Sequence, residues 1–134
     1  MSENITIKKF EDFKLKKILS DKQILRMQEL VKDIYLSKKI REYILNIVKE
    51  TREKNFENAK YIEWGASPRA SIALFITSKA RALMEGRTFV VPKDVKNAAL
   101  EVLRHRLILS FKATAEGINS DKLIKEILNR VEVP

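Results

Sequence analysis

The sequence predicts an all-α domain, a small bundle of about five helices with at most a short two-stranded β element, and three observations carry that expectation. Apolar residues make up 45% and charged residues 34% of the chain, with three glycines and three prolines, a folded and helix-rich balance. Its 134 residues suffice for one core of ordinary size and not for two. Apolar positions recur at helical spacing in five stretches, most of them preceded by a cap or a proline.

Ser20-Asp21-Lys22-Gln23 is a capping box, in which hydroxyl and amide side chains each satisfy a backbone N–H of the other. It opens a helix to about Ile34 whose apolar face is Ile24, Met27, Leu30, Val31 and Ile34. Tyr35-Leu36 reads as a short extended link. Ser37 then caps a helix with the stripe Ile40, Tyr43, Ile44, Ile47 and Val48, and the two are expected to form a tight antiparallel hairpin. Ser67-Pro68 starts a third helix, since proline at the first helical position lacks only an N–H that would have no partner anyway. That helix stops at Gly86. Thr88 to Val91 is β-prone, and Pro92 opens a fourth helix with Val95, Ala98, Ala99, Val102 and Leu103 on one face, ending near Arg106. After a looser stretch around Gly117, Ser120 is expected to cap a last helix bearing Leu123, Ile124, Ile127, Leu128 and Val131. Residues 1–17 read as a linker or boundary segment and 18–134 as the helical domain. In the first of these Ile5, Ile7, Phe10, Phe13 and Leu15 alternate like an edge strand as much as they resemble a helix.

Several function classes fall away. The chain has no cysteine and a single histidine, which excludes disulfide scaffolds, thiol nucleophiles and any paired-histidine metal site, so no metal ligand set is expected. His105 lies between Arg104 and Arg106 and reads as a polar helix-end residue. No apolar run reaches membrane-spanning length and no secretory core precedes the domain, so the expected compartment is the cytoplasm. The net charge of +9 divides almost evenly, +5 up to Lys60 and +4 beyond it. A spread excess supports solubility, whereas nucleic-acid binding is announced by a focused patch.

The informative string is Gly65-Ala66-Ser67-Pro68-Arg69-Ala70. It puts a guanidinium in the first turn of a helix, where the macrodipole already presents positive charge, an arrangement unfavourable by about 0.3–1 kcal/mol unless an anion is supplied. Other helices supply their own acid, at Asp21, Asp94 and Asp121, and Glu42 follows Lys38-Lys39; the Ser67 helix has none before Glu85. Free N–H groups beside an arginine suit a phosphate or carboxylate. At about 100° per residue, Arg69 shares a face with Ile72, Ala73, Ile76, Ala80 and Leu83, the expected packed side, with Leu74 and Phe75 opposite. Spacing alone leaves open the commoner fate of a helix-end arginine, a surface pair with Glu57, Glu63 or another carboxylate.

Longer strings add a resemblance. Glu50-Thr51-Arg52, Trp64 to Ala70, Glu85 to Val95 (Glu-Gly-Arg-Thr-Phe-Val-Val-Pro-Lys-Asp-Val) and Val102 to Ser110 (Val-Leu-Arg-His-Arg-Leu-Ile-Leu-Ser) resemble the C-terminal lid of MoxR-type AAA+ ATPases, in family order from about Ile18 to Pro134. The resemblance implies that Arg69 is the sensor-2 arginine reaching the γ-phosphate of ATP, with Gly65, Ala66, Ser67 and Pro68 shaping the nucleotide-facing turn. It implies ATP and Mg as cofactors of the full-length protein, none held tightly by this chain alone. It also implies an AAA+ core domain, neighbouring subunits of a hexameric ring, and chaperone-like work on partners that include von Willebrand A-type domain proteins.

The phosphate loop, the acidic Mg-binding strand and the arginine finger are absent, so the chain resembles a lid separated from its core and is expected to hydrolyse nothing alone. Val91 stands where the family commonly places a hydroxyl, leaving the Pro92 helix start to Asp94. Two other classes compete with the lid. One is a basic nucleic-acid binder using Arg104-His105-Arg106, opposed by the placing of Tyr43 and Phe75 on packing faces. The other is a nucleotide-independent protein-interaction module.

Overall fold

The computed structural model describes residues 16–53 and 55–134. Among them are six α-helices, α1 (Asp21–Asp33), α2 (Lys38–Glu53), α3 (Arg69–Met84), α4 (Pro92–Leu103), α5 (Phe111–Ala115) and α6 (Ser120–Arg130). A 3-10 turn (Glu57–Tyr61) leads into β1 (Ile62–Trp64), which pairs antiparallel with β2 (Ile108–Leu109). The all-α expectation holds, with the two-stranded element placed elsewhere than Thr88–Val91. That stretch instead meets the link before α2: the Tyr35 N–H donates to the Thr88 carbonyl at 2.8 Å and the Val90 N–H to the Tyr35 carbonyl at 3.0 Å. The edge-strand or helix alternatives for the first segment lie, up to residue 15, outside the described residues.

Caps set the helix boundaries. Ser20 Oγ accepts the Gln23 N–H at 3.2 Å while Gln23 Oε1 accepts the Ser20 N–H at 2.7 Å, completing the capping box. Ser37 Oγ accepts the Ile40 N–H at 3.2 Å. Gly86, at φ 70°, ends α3 in a Schellman turn: its N–H reaches the Leu83 carbonyl and that of Arg87 the Ala82 carbonyl, both at 2.9 Å. Two expectations are corrected. The last helix is capped by Asn119, whose Oδ1 accepts the Lys122 N–H at 2.9 Å, so Ser120 is its first residue. The looser stretch before it contains α5, capped by Ser110 and closed at Gly117, where φ is 67°.

α3 and α4 form the principal packing pair, with α2 and α6 closing the core around them. Tyr43, Ile44 and Ile47 of α2, Leu74 of α3, Val95 and Leu103 of α4, and Leu123, Ile124 and Ile127 of α6 are fully or almost fully buried. Each such aliphatic side chain contributes about 1.5–3 kcal/mol of transfer free energy. The expected α1–α2 hairpin does not form, because α1 packs on α3. No residue within α1 is buried; Ile34, just beyond it, is the first to enter the core.

The expected packing face of α3 is also corrected. Its buried stripe is Ala70, Leu74, Ser78 and Ala82, while Ile72 and Ile76 are 61% and 54% exposed. α3 is apolar nearly all round, so periodicity does not mark its inner side. Small residues decide it, since Ala70, Ser78 and Ala82 let α4 approach with its own Ala98 and Ala99.

Candidate functional site

The site is built where the C-terminal turns of α2 meet the chain leading into α3. Thr51 ends the buried stripe of α2 and is fully buried. Its hydroxyl donates to the Val48 carbonyl at 2.6 Å and accepts the Ala66 N–H at 3.0 Å. Both polar functions of a buried side chain are thereby satisfied, as burial requires. Gly65 lies so close that a Cβ there would sit 2.4 Å from the Thr51 carbonyl oxygen and 2.7 Å from Arg52 Cγ. Glycine at 65 and hydroxyl at 51 together pin the backbone immediately before the helix. Ala66 and Ala70 are fully buried, whereas Ser67, Pro68 and Arg69 between them are exposed. The anchored alanines flank a short outward arch.

Pro68 adopts helical dihedrals (φ −54°, ψ −25°), and the first turn closes tightly: the Ala70 N–H donates to the Ser67 carbonyl at 2.8 Å and the Ser71 N–H to the Pro68 carbonyl at 3.0 Å. The expected Ser67 hydroxyl cap is not made, because the chain turns on backbone carbonyls with proline presetting φ. No acidic residue lies in this first turn. Arg69 is exposed and makes no ion pair or hydrogen bond with a described residue; the surface-pair alternative is not realised. Other arginines of the domain do find acids: Arg87 chelates Asp94 at 2.6 and 2.8 Å, Arg104 holds Asp121 at 2.7 and 2.9 Å, and Arg130 meets Glu50 at 3.2 Å. The tip of α3 therefore fits an anionic group such as a nucleotide phosphate, through Arg69 and the dipole-bearing helix end.

The opposite end of α3 is locked by chemistry that the sequence only half disclosed. Asp94 accepts the Val91 N–H at 2.9 Å, the carboxylate half of a capping box whose hydroxyl half is missing, and is itself buried beneath Arg87. Burial pushes the Asp94 carboxyl up, but the Arg87 hydrogen bonds, the Val91 N–H and the Arg87 charge prevail and hold it below the usual carboxylate range. The Arg104-His105-Arg106 cluster is no open basic patch. Asp121 holds Arg104, the Arg106 guanidinium lies on the His105 ring nitrogen and donates to the Val102 carbonyl, and Tyr43 is buried. Among the described residues no group of three or more potential metal ligands converges, and no helix is long and apolar enough to cross a membrane.

A helical bundle with a short β-ribbon thus presents an exposed arginine on a helix tip that carries no acid of its own. Residues 55–127 match the AAA lid domain family. The chain is 34% identical over 123 residues to the chaperone MoxR1 of Mycobacterium tuberculosis, covering 89% of this chain and 33% of that protein. It is 38% identical over 77 residues to the protein MoxR of Methylorubrum extorquens, covering 56% and 22%. A crystal structure of a protein from Cytophaga hutchinsonii proposed to be an ATPase superposes with a TM-score of 0.82 at 37% identity, over 88% of this chain and 37% of that one. The chain belongs to the AAA lid domain family, as a lid of the MoxR type. It spans about a third of the length of the longer relatives it matches over most of its own.

Proposed function

We propose that this lid supplies the sensor-2 arginine, Arg69, to the ATP site of a MoxR-type ATPase and couples nucleotide state to remodelling of partner proteins. The observation that carries the reading is the state of Arg69: exposed, without an acid of its own, on a helix tip fixed from behind by Thr51 and Gly65. Bound ATP with Mg supplies the transferable phosphoryl group. What this chain does is hold a guanidinium at the positive end of the α3 dipole at low reorganisation cost, which stabilises negative charge on an anion docked there. Gly65, Ala66, Ser67 and Pro68 aim the helix, and Mg coordination belongs to residues outside this chain. The same reading includes an AAA+ core and neighbouring subunits of a hexameric ring, cytoplasmic work, and clients with von Willebrand A-type domains. An arch anchored at both ends transmits closure at Arg69 to α2 and α3 as a rigid-body rotation.

The test is Arg69→Ala in the intact ATPase that carries this lid. Because the side chain is exposed and makes no ion pair or hydrogen bond with a described residue, the melting temperature of the 134-residue chain is expected to be unchanged. Steady-state ATP turnover of the intact enzyme is expected to fall by about tenfold or more, the scale of losing one pre-positioned donor. Wild-type turnover and undiminished nucleotide coupling in that variant overturn the assignment.

A further inference from the structure

Arg69 has a second arginine beside its arch. Arg52, in the last turn of α2, is exposed and makes no ion pair or hydrogen bond with a described residue. The acids nearest to it in sequence are engaged by other cations, Glu50 by Arg130 at 3.2 Å and Glu53 by Lys49 at 3.0 Å. Its charge, like that of Arg69, has no counter-ion among the described residues.

Gly65 brings the two arginines to one place. Its backbone lies so close to the Arg52 side chain that a Cβ would sit 2.7 Å from Arg52 Cγ, and the same glycine stands four positions before Arg69. Four residues span at most about 14 Å even when fully extended, and the tight first turn of α3 shortens that path. The Ala66 N–H, bonded to the hydroxyl of Thr51, holds the arch against the residue that precedes Arg52. Arg52 therefore has its stem on the near end of the arch, and Arg69 springs from the far end.

We infer that Arg52 binds the same anion as Arg69 and engages a second phosphoryl group of the nucleotide that the lid faces. The inference rests on the nucleotide reading of Arg69. A guanidinium grips one phosphoryl group in a bidentate manner, so two guanidinium groups tied to one arch fit a chain of phosphoryl groups better than a single one. The ligand class is a polyphosphate, which in the intact ATPase is the triphosphate of the nucleotide. Gly65 gains a second use, since any side chain there displaces the stem of Arg52 as well as meeting the Thr51 carbonyl. A purely structural Arg52 would instead serve the negative end of the α2 dipole, and its removal would cost stability and no affinity.

The experiment titrates the isotopically labelled 134-residue chain with inorganic tripolyphosphate, and separately with orthophosphate, at matched ionic strength. Heteronuclear NMR follows the backbone amides and the arginine Nε–H groups. Tripolyphosphate is expected to shift Arg52, Gly65 and Arg69 together and to bind about tenfold more tightly than orthophosphate. Arg52→Ala is expected to lower tripolyphosphate affinity about fivefold while changing orthophosphate affinity and the melting temperature little, and Arg52→Lys to recover only part of the loss. Arg26→Ala, which removes an equal charge from an exposed position on α1, controls for net charge. Full tripolyphosphate affinity in Arg52→Ala, with Arg69→Ala defective, overturns this inference and leaves the nucleotide reading standing. An equal loss in Arg26→Ala reveals diffuse attraction only and likewise overturns it. Undiminished affinity in Arg69→Ala, or shifts that miss both arginines, overturns the two readings together.

Discussion

The buried hydroxyl of Thr51 accepts the backbone N–H of Ala66 at 3.0 Å, a single bond across fifteen residues of sequence that ties the end of α2 to the start of α3. It fixes where Arg69 emerges. Thr51→Val preserves shape and removes the acceptor, leaving a buried N–H unpaired and the arch free to drift. Destabilisation of about 1–3 kcal/mol is expected, measured by denaturant unfolding, with Thr51→Ser recovering most of it. A loss equal to that of an exposed control such as Thr114→Val contradicts the role.

Gly65 and Gly86 are required for different reasons, and alanine separates them. At 65 a methyl group meets the Thr51 carbonyl oxygen at 2.4 Å, and that backbone cannot move without breaking the Ala66 bond. At 86 there is open space, and the cost is the left-handed φ of 70° alone. Gly65→Ala is expected to cost about 2–3 kcal/mol by overpacking and Gly86→Ala about 1 kcal/mol by strain. The order of the two midpoints in urea checks this, and the reverse order refutes it.

Most helix boundaries were legible in the sequence because they are local. Ser20 and Ser37 act through bonds to residues three positions away, the Gly86 turn through bonds spanning three and five, and Pro92 through its preset φ, and the structure repeats them. Facing was less legible. α1 carries a regular apolar stripe yet buries none of it, and α3, apolar on every side, is oriented by the small residues Ala70, Ser78 and Ala82. At the site, the missing acid before Glu85 was readable. The role of Thr51 was not, although a hydroxyl three residues beyond Val48 on a buried stripe signals that something polar must meet it. Arg87 escaped for the same reason: its partner Asp94 lies across a turn whose shape only the fold supplies.

The Arg87–Asp94 pair predicts an acid-sensitive component of stability. The folded carboxyl titrates below its unfolded value of about 3.9, so its contribution is complete above that pH and is lost as pH falls through the lower folded value. Melting temperatures of wild type and Asp94→Asn are therefore expected to differ most at neutral pH and to converge below about pH 4. Asp121 and Glu116, also lowered by their partners Arg104 and Tyr61, give both proteins a common acid slope, so the difference between the curves isolates Asp94. Arg87→Ala at neutral pH leaves the buried carboxylate without its cation and is expected to lower the melting temperature. Parallel curves down to acid pH would remove the ion pair from the account.

Opening of α1 is expected to precede unfolding of the rest. Its residues are all at least partly exposed, Ile24, Met27 and Leu30 by 47%, 44% and 43%, so little apolar area holds it against α3. α4, by contrast, buries Val95, Ala98, Ala99, Val102 and Leu103 between α3 and α6. An element held by few buried contacts opens at a free energy well below the global value. Native-state amide exchange is expected to give α1 protection at least about tenfold lower than α4, a gap of about 1.4 kcal/mol or more. Leu103→Ala, which destabilises the whole core by about 2–5 kcal/mol, is expected to accelerate exchange in α4 and leave α1 almost unchanged, since α1 already opens without the core. Equal acceleration of both helices would show a single cooperative unit and place α1 within the core's energetics after all.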